Sequence, residues 1–414
     1  MLIPFPSLFN REGCRGEYTQ RIMLIYNKQW LDNLSIRKAA EAWVKCGRIS
    51  VDEYNAIEAK YPSGYKPHGI GARIGLFIFG VIIVSSASGL LFLFTGFARE
   101  AGIGIQNLLL GIACYIIAEH YVRNKNQYRS GVVDALLYSA ITAIGVAIFI
   151  MLDRLRDGDY IKPEFYLMLL IPLIGFAAIR FADAFLTLVV YGLTIWLNAL
   201  LVLEFGSVGQ MILPFECMAL SVLIYFWVKK QKENKTLEYY ARCLWMIEMA
   251  SALTFYLAGN YMVVRMLSEA LLNMEVQSGE DIHLAFFFYL YTIAVPIAYI
   301  YAGLKNKNRL LLRLGVLLIA AGILSIKYYH HVLPPETALI LAGVALVAIA
   351  WFSIKYFKVP RNGITSEPDE SLTRMDAISN IAFSELLQQG PTPPVNDVDF
   401  GGGSFGGGGA SSGF

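Results

Sequence analysis

Long apolar runs, separated by short polar connections, fill most of the chain between residues 74 and 357. A helix needs about 20 mostly apolar residues to cross a hydrocarbon layer of roughly 30 Å. Ten runs meet that requirement, near 74–97, 104–122, 132–152, 164–181, 183–203, 210–228, 240–263, 283–304, 309–326 and 336–357. The pattern predicts an all-α fold, a polytopic integral membrane bundle of about ten transmembrane helices over residues 70–358, with nine or eleven spans left open. The fourth and fifth runs are hard to divide, because residues 164–204 continue with only Arg180 and Asp183 as interruption and no Pro or Gly at the turn. One helix of that length would extend about 60 Å at 1.5 Å per residue. A tight hairpin between the two runs is therefore expected.

Polar segments flank the bundle. Residues 1–22 show no periodicity and are expected to be a disordered leader, and Met23 is an alternative start of translation. The short apolar piece at 2–9 contains Pro4 and Pro6 and lacks a basic leader, so it does not read as a cleavable signal and the first span serves as the insertion signal. Residues 23–66 predict a helical hairpin. Ser35 is positioned to cap a helix over 36–46 that stops at Gly47, and Ser50 with Glu53 forms an S-x-x-E capping box for a second helix that Pro62 ends. Ala39, Ala40, Trp43 and Val44 would then face Tyr54 and Ile57.

After Tyr356 the chain turns polar, and residues 359–414 form a tail. Leu372, Met375, Ile378, Ile381 and Leu386 have the spacing of a short amphipathic helix near 371–387, lying on the membrane or on a partner. The glycine-rich stretch 401–414 has too little apolar surface to fold and is expected to be disordered.

Composition supports the membrane reading. Hydrophobic residues make up 56% of the chain and charged residues 16%, where soluble domains carry about 25% charged. The mean hydropathy is +0.51. A formal net charge of +2 is uninformative, but the placement of Lys and Arg is not. Arg123, Lys125 and Arg129, then Arg180, then Lys229, Lys230, Lys232 and Lys235, then Lys305, Lys307 and Arg309, then Lys355, Lys358 and Arg361 occupy every second connection. The intervening connections are acidic or mixed. The positive-inside rule then puts both termini in the cytoplasm.

Five scattered cysteines form no C-x-x-C pair, and no disulfide framework or zinc site is implied. Gly69, Gly71 and Gly75 miss the dinucleotide spacing. No cofactor, metal, nucleic-acid partner or catalytic motif is indicated, and an enzyme is not expected. The partner that composition does demand is the lipid bilayer.

Residues 41–50, reading Glu-Ala-Trp-Val-Lys-Cys-Gly-Arg-Ile-Ser, are followed by an acidic helix, a short linker and a first span bearing Gly75, Gly80 and Gly89. This arrangement resembles the bacterial membrane proteins grouped as domain of unknown function 2157, over about the first 125 residues. The resemblance implies an integral protein of a bacterial inner (cytoplasmic) membrane and brings no catalytic residue with it. The glycine-rich end is similar to that of bacterial membrane proteins with a TPM domain, although no such domain is present. It would serve as a recognised terminal tag or as plain linker.

Ionisable groups inside a span cost roughly 2.5–3.5 kcal/mol at mid-helix and usually face the bundle interior. Glu216 and Glu248 stand about equally far from the Lys229 to Lys235 turn, so an antiparallel helix pair would bring them to similar depth. Two adjacent carboxylates hold a proton or a cation between them; the alternative is that each is bonded separately as helix glue. Pro214 interrupts the sixth span, and Ser85, Ser86 and Ser88 lie near the middle of the first. Ten spans divide into two inverted halves whose broken first helices would line a midplane site, or these are ordinary small packing residues. Arg180 and Asp183 have the spacing of an ion pair at the cytoplasmic turn, and Glu119, His120 and Arg123 that of an interfacial cluster. His330 and His331 are adjacent and cannot share one helical face; Asn198 and Asn260 are candidates for interhelical hydrogen bonds or ligand contact.

The reading that follows is passage or sensing of a small molecule or ion through the bundle. The alternative is a membrane-anchored scaffold or regulator whose cytoplasmic hairpin and tail bind a protein partner.

Overall fold

A computed structural model describes residues 24–329, apart from 46–47, 66–68, 96–99, 156–161 and 273–283, with scattered positions between 337 and 355. Every regular element among the described residues is helical. In chain order they are α1 (Lys28–Lys45), α2 (Val51–Lys60), α3 (Ile70–Thr95), α4 (Glu100–Asn124), α5 (Gly131–Leu155), α6 (Pro163–Phe181), α7 (Ala184–Leu203), α8 (Ser207–Lys232), a 3-10 turn (Lys235–Tyr240), α9 (Ala241–Gly259), α10 (Tyr261–Leu272), α11 (Ala285–Lys305) and α12 (Arg309–Tyr329). The leader, His330 and His331, most of the tenth predicted span, the tail at 359–414 and its helix near 371–387 lie outside the described residues.

Seven of these helices are long and apolar enough to cross a membrane: α3 to α8 and α11. Their outward faces carry large apolar side chains in unbroken rows, such as Ile78, Phe79, Ile82 and Ile83 on α3 and Phe286, Leu290, Ile293 and Ile297 on α11. Soluble proteins do not present such patches to water, so these faces meet the bilayer. The protein is a multi-pass membrane protein.

The span expected at 240–263 is divided. Asn260 adopts an extended conformation between α9 and α10, and its Oδ1 accepts the Val263 amide at 3.3 Å, capping the second helix. Pro214, in contrast, sits inside α8 without ending it, as Pro172 and Pro296 do in α6 and α11. Asparagine breaks this bundle because its side chain can replace the helical bond it removes.

The turn expected between the fourth and fifth runs is present. Ala182 takes the left-handed conformation at the end of α6 (φ 45°), and Asp183 caps α7 by accepting the Leu186 amide at 2.8 Å. No glycine is needed, because the cap satisfies the open helix end.

Inside the bundle, α5 packs against α3, α4 and α6, while α9 packs against α7, α8, α10, α11 and α12. The central place of α5 shows in its span, 44% of which is buried against 11% for α3. Gly131, the first residue of α5, makes the α3 crossing possible: a Cβ there would lie 1.9 Å from the Arg73 carbonyl oxygen.

The capping box at Ser50 and Glu53 forms at the start of α2. Ser35 does not start a helix. Asn27 offers its Oδ1 to the Trp30 amide at 3.3 Å and α1 begins at Lys28, leaving Ser35 about two turns inside, where its hydroxyl donates to the Asp32 carbonyl at 2.8 Å. Arg37 pairs with Glu58 across α1 and α2, and Asn33 donates to the Pro62 carbonyl at 2.7 Å.

The base of this arm is seated on the bundle. The Ile25 amide donates to the Arg180 carbonyl at 3.0 Å, the Asn27 amide to the Tyr65 hydroxyl at 2.8 Å, and the Tyr239 hydroxyl to Asp32 at 3.1 Å. Tyr26 meets Tyr65 and Tyr128 edge-on, and Trp30 meets Tyr65. Its far end carries the exposed side chains of Trp43 and Val51.

Candidate functional site

Glu216 and Glu248 do not share a site. The helix α8 runs on to Lys232 and the 3-10 turn uses up residues 235–240, which shifts α8 and α9 out of the assumed register. Lys232 forms an ion pair with Glu248, whereas Glu216 lies sixteen residues earlier on the same helix as Lys232, about 24 Å away at 1.5 Å per residue. Glu216 accepts the Asn198 carboxamide at 2.7 Å, and Glu248 also accepts from Asn308 at 3.3 Å. Each carboxylate is bonded separately. Ser85 and Ser86 face outward on α3, and Ser88 offers its carbonyl to Gln106 at 3.2 Å.

Arg180 and Asp183 flank their turn but bond elsewhere. Arg180 reaches Glu119 on α4 at 2.5 Å, and Glu119 also holds Arg123 at 2.5 Å, so the interfacial cluster gains a second helix. Asp183 caps α7 and accepts the Tyr138 hydroxyl at 3.2 Å. This departure leads to a polar cavity in the bundle.

The cavity has a volume of about 180 Å³ and lies at the end of the bundle where the basic connections gather. A single water needs about 10–15 Å³ on this measure, so the space takes a small polar molecule or several waters. Its wall combines Tyr26 from the arm, Arg73 from α3, Arg129 from the turn before α5, Asp134 and Tyr138 from α5, Asp183 from the α6–α7 turn and Arg242 from α9.

The α3–α5 crossing at Gly131 sets the Arg73 side chain against Asp134. Both Nε (3.0 Å) and Nη2 (2.6 Å) of Arg73 donate to the Asp134 Oδ2. Asp183 is held by its capping bond and by Tyr138. These two carboxylates and Arg73 therefore have partners inside the protein.

Arg129 differs. It takes the left-handed backbone conformation, φ 50°, which costs a non-glycine residue roughly 1–2 kcal/mol. The next residue, Ser130, is buried and caps α5 through its hydroxyl and carbonyl, and Gly131 is jammed against Arg73. The chain must therefore turn sharply at Arg129, and the turn sends its side chain to the cavity. Its guanidinium lies over the Tyr128 ring at 5.1 Å, and no carboxylate among the described residues is within 4 Å of it. Burial opposes its charge, while the Asp183 carboxylate among its neighbours favours the cation.

Tyr26 is the second unusual member. It is only 6% exposed, lines the cavity, and its hydroxyl takes no hydrogen bond among the described residues. Burial, reinforced by Tyr128, pushes its pKa up, so the hydroxyl remains a donor.

Sequence reasoning missed six of these seven residues as site members, Asp183 being the exception. Arg129 counted only as one basic residue among many, Tyr26 fell in the hairpin segment, and Arg73 lay just before the first span. Asp134 was legible, since an acid four residues into an apolar run is the signal that singled out Glu216 and Glu248.

The chain matches no protein-family model, no curated protein and no solved structure.

Proposed function

We propose that this multi-pass membrane protein senses a small ligand at the polar cavity and passes its occupancy to the N-terminal arm. The observation that carries this reading is the presence of Tyr26, an arm residue, in the same wall as Arg73, Arg129, Asp134 and Asp183. A ligand that bonds the Tyr26 hydroxyl changes the free energy of seating the arm, which is the differential contact a sensor requires. Sensing is favoured over passage because the other two acids singled out within the helices, Glu216 and Glu248, are each already bonded within the bundle. In this reading the basic end is cytoplasmic, as are both termini. The resemblance of the first 125 residues to bacterial membrane proteins supplies an inner membrane as the setting.

The test fills the cavity covalently. Arg129→Cys in a cysteine-free background, labelled in inside-out vesicles with a small water-soluble thiosulfonate, is expected to react and to speed deuterium uptake at backbone amides 24–34. Labelling without any change in the arm removes the sensing reading.

A second reading, a membrane-anchored scaffold, draws on the exposure of Trp43 (44%) and Val51 (62%) at the far end of the arm. It expects Trp43→Ala to abolish function while Arg129→Gln leaves it intact.

A further inference from the structure

Resting on the sensing reading and naming its ligand class, we infer that the cavity binds a phosphate oxyanion, with Arg129 and Tyr26 as its donors. The cavity wall holds three guanidinium groups, Arg73, Arg129 and Arg242, and two carboxylates, Asp134 and Asp183. Arg73 is committed to Asp134 and Asp183 to its cap and Tyr138. Among the described residues of this wall, Arg129 has no ion pair and the Tyr26 hydroxyl, which opens on the cavity, has no hydrogen bond. Both face one space. A guanidinium fork beside a neutral donor matches two oxygens of a phosphate.

The wall also limits the ligand. One oxyanion matches the single guanidinium of Arg129, while a polyphosphate would set further negative charge beside Asp134 and Asp183. A metal cation would be repelled by that guanidinium, and an apolar ligand would leave the guanidinium and the hydroxyl unsatisfied.

Two sources supply this chemistry, a phospholipid headgroup and a free phosphate compound. Basic pockets between helices on the cytoplasmic side suit headgroups, and here the half-exposed Phe185 stands in the cavity wall against Tyr138, with their rings 5.2 Å apart. That places a lipid-facing side chain beside the polar site.

The test uses the full chain, delipidated in a neutral maltoside detergent, with thermal unfolding as readout. One arm adds inorganic phosphate; the other adds phosphatidylglycerol micelles, with diacylglycerol as the phosphate-free control. Binding at saturation is expected to raise Tm by about 3–6 °C. A rise with inorganic phosphate identifies a soluble source, and a rise with phosphatidylglycerol alone identifies the headgroup. Arg129→Gln should abolish the rise. Arg129→Lys should retain part of it, and Tyr26→Phe should weaken apparent affinity about tenfold, as loss of one hydrogen bond to a charged group does. If Arg129→Gln fails to fold, the last two variants carry the test.

No rise in the wild type with either addition, or a full rise in Arg129→Gln or in both conservative variants, overturns the proposal. The two readings separate cleanly. Phosphate binding without arm movement sinks sensing alone, and arm movement on thiosulfonate labelling without phosphate binding sinks the oxyanion alone.

Discussion

Two polar clusters lie at the basic end of the bundle, one around α9 and one around α5, and they solve the problem of buried charge differently. Around α9, Glu248 is 4% exposed and holds Lys232 and Asn308, while Asn308 also reaches the Tyr225 hydroxyl at 3.5 Å and accepts the Leu310 amide at 2.9 Å. Helices α8, α9 and α12 are thereby tied together, and each named polar side chain has a partner. Around α5, Arg73, Asp134, Tyr138 and Asp183 bond one another or the backbone, while Arg129 and Tyr26 face a cavity. Buried polar groups do not by themselves mark a site. What separates a site from glue is a donor held in place by the fold and left without an internal acceptor.

That contrast breaks most visibly at Glu248. Removing one member of a buried ion pair leaves the other uncompensated, at a cost of about 3–5 kcal/mol. Glu248→Ala should therefore lower Tm sharply and reduce the folded yield in detergent. Replacing Lys232 and Glu248 together by Met and Leu should recover most of the loss, because apolar pairs of similar volume often substitute for buried ion pairs. A Glu248→Ala protein as stable as wild type would mean that the α9 cluster is no more structural than the α5 cavity.

A smaller loss is expected at the α9–α10 break. Asn260 is 2% exposed, donates to the Tyr256 hydroxyl at 3.0 Å and accepts from Ser325 at 3.3 Å as well as from the Val263 amide. Asn260→Ala removes the cap of α10 and two side-chain bonds. An N-cap alone is worth about 1 kcal/mol, so about 2 kcal/mol in total is the expectation, read as a Tm shift below that of Glu248→Ala. Hydrogen exchange should localise the damage to α10, where Tyr261 stacks on Tyr289 at 4.0 Å and donates its amide to Thr292 at 3.0 Å. A break that is mere slack would show no such localisation.

The legibility of these features in the sequence follows the range of the forces involved. Helices with apolar rows are local patterns, so the spans from α3 to α8 and α11 stand close to where hydropathy puts them. The capping box at Ser50 and the helix stop at 182–183 are local as well. The pairing of Glu216 with Glu248 was a statement about register between two helices. It failed because a six-residue 3-10 turn follows the end of α8, a detail that no apolar period encodes. The cavity is still less legible: its polar side chains come from five helices or turns and from the arm, and Arg129 reaches it through a left-handed backbone that carries no glycine signal. Asp134 alone among its members had the signature of a buried charge.

The smallest predicted effect is the most telling, and it concerns Arg129 in ligand-free protein. Arg129→Gln keeps the strained backbone and loses the Tyr128 contact, worth about 0.5–1 kcal/mol. Arg129→Gly also loses that contact but relieves a left-handed conformation costing roughly 1–2 kcal/mol, against about 0.5–1 kcal/mol for the greater freedom of glycine in the unfolded chain. Both variants should therefore unfold within about 1 kcal/mol of wild type in chemical denaturation, with Arg129→Gly the more stable of the two. If either costs as much as Glu248→Ala, the guanidinium is holding the helices together and the distinction between the two clusters collapses. If both are neutral, the backbone strain at Arg129 serves no purpose in the empty protein. It is then maintained for what the side chain meets in the cavity.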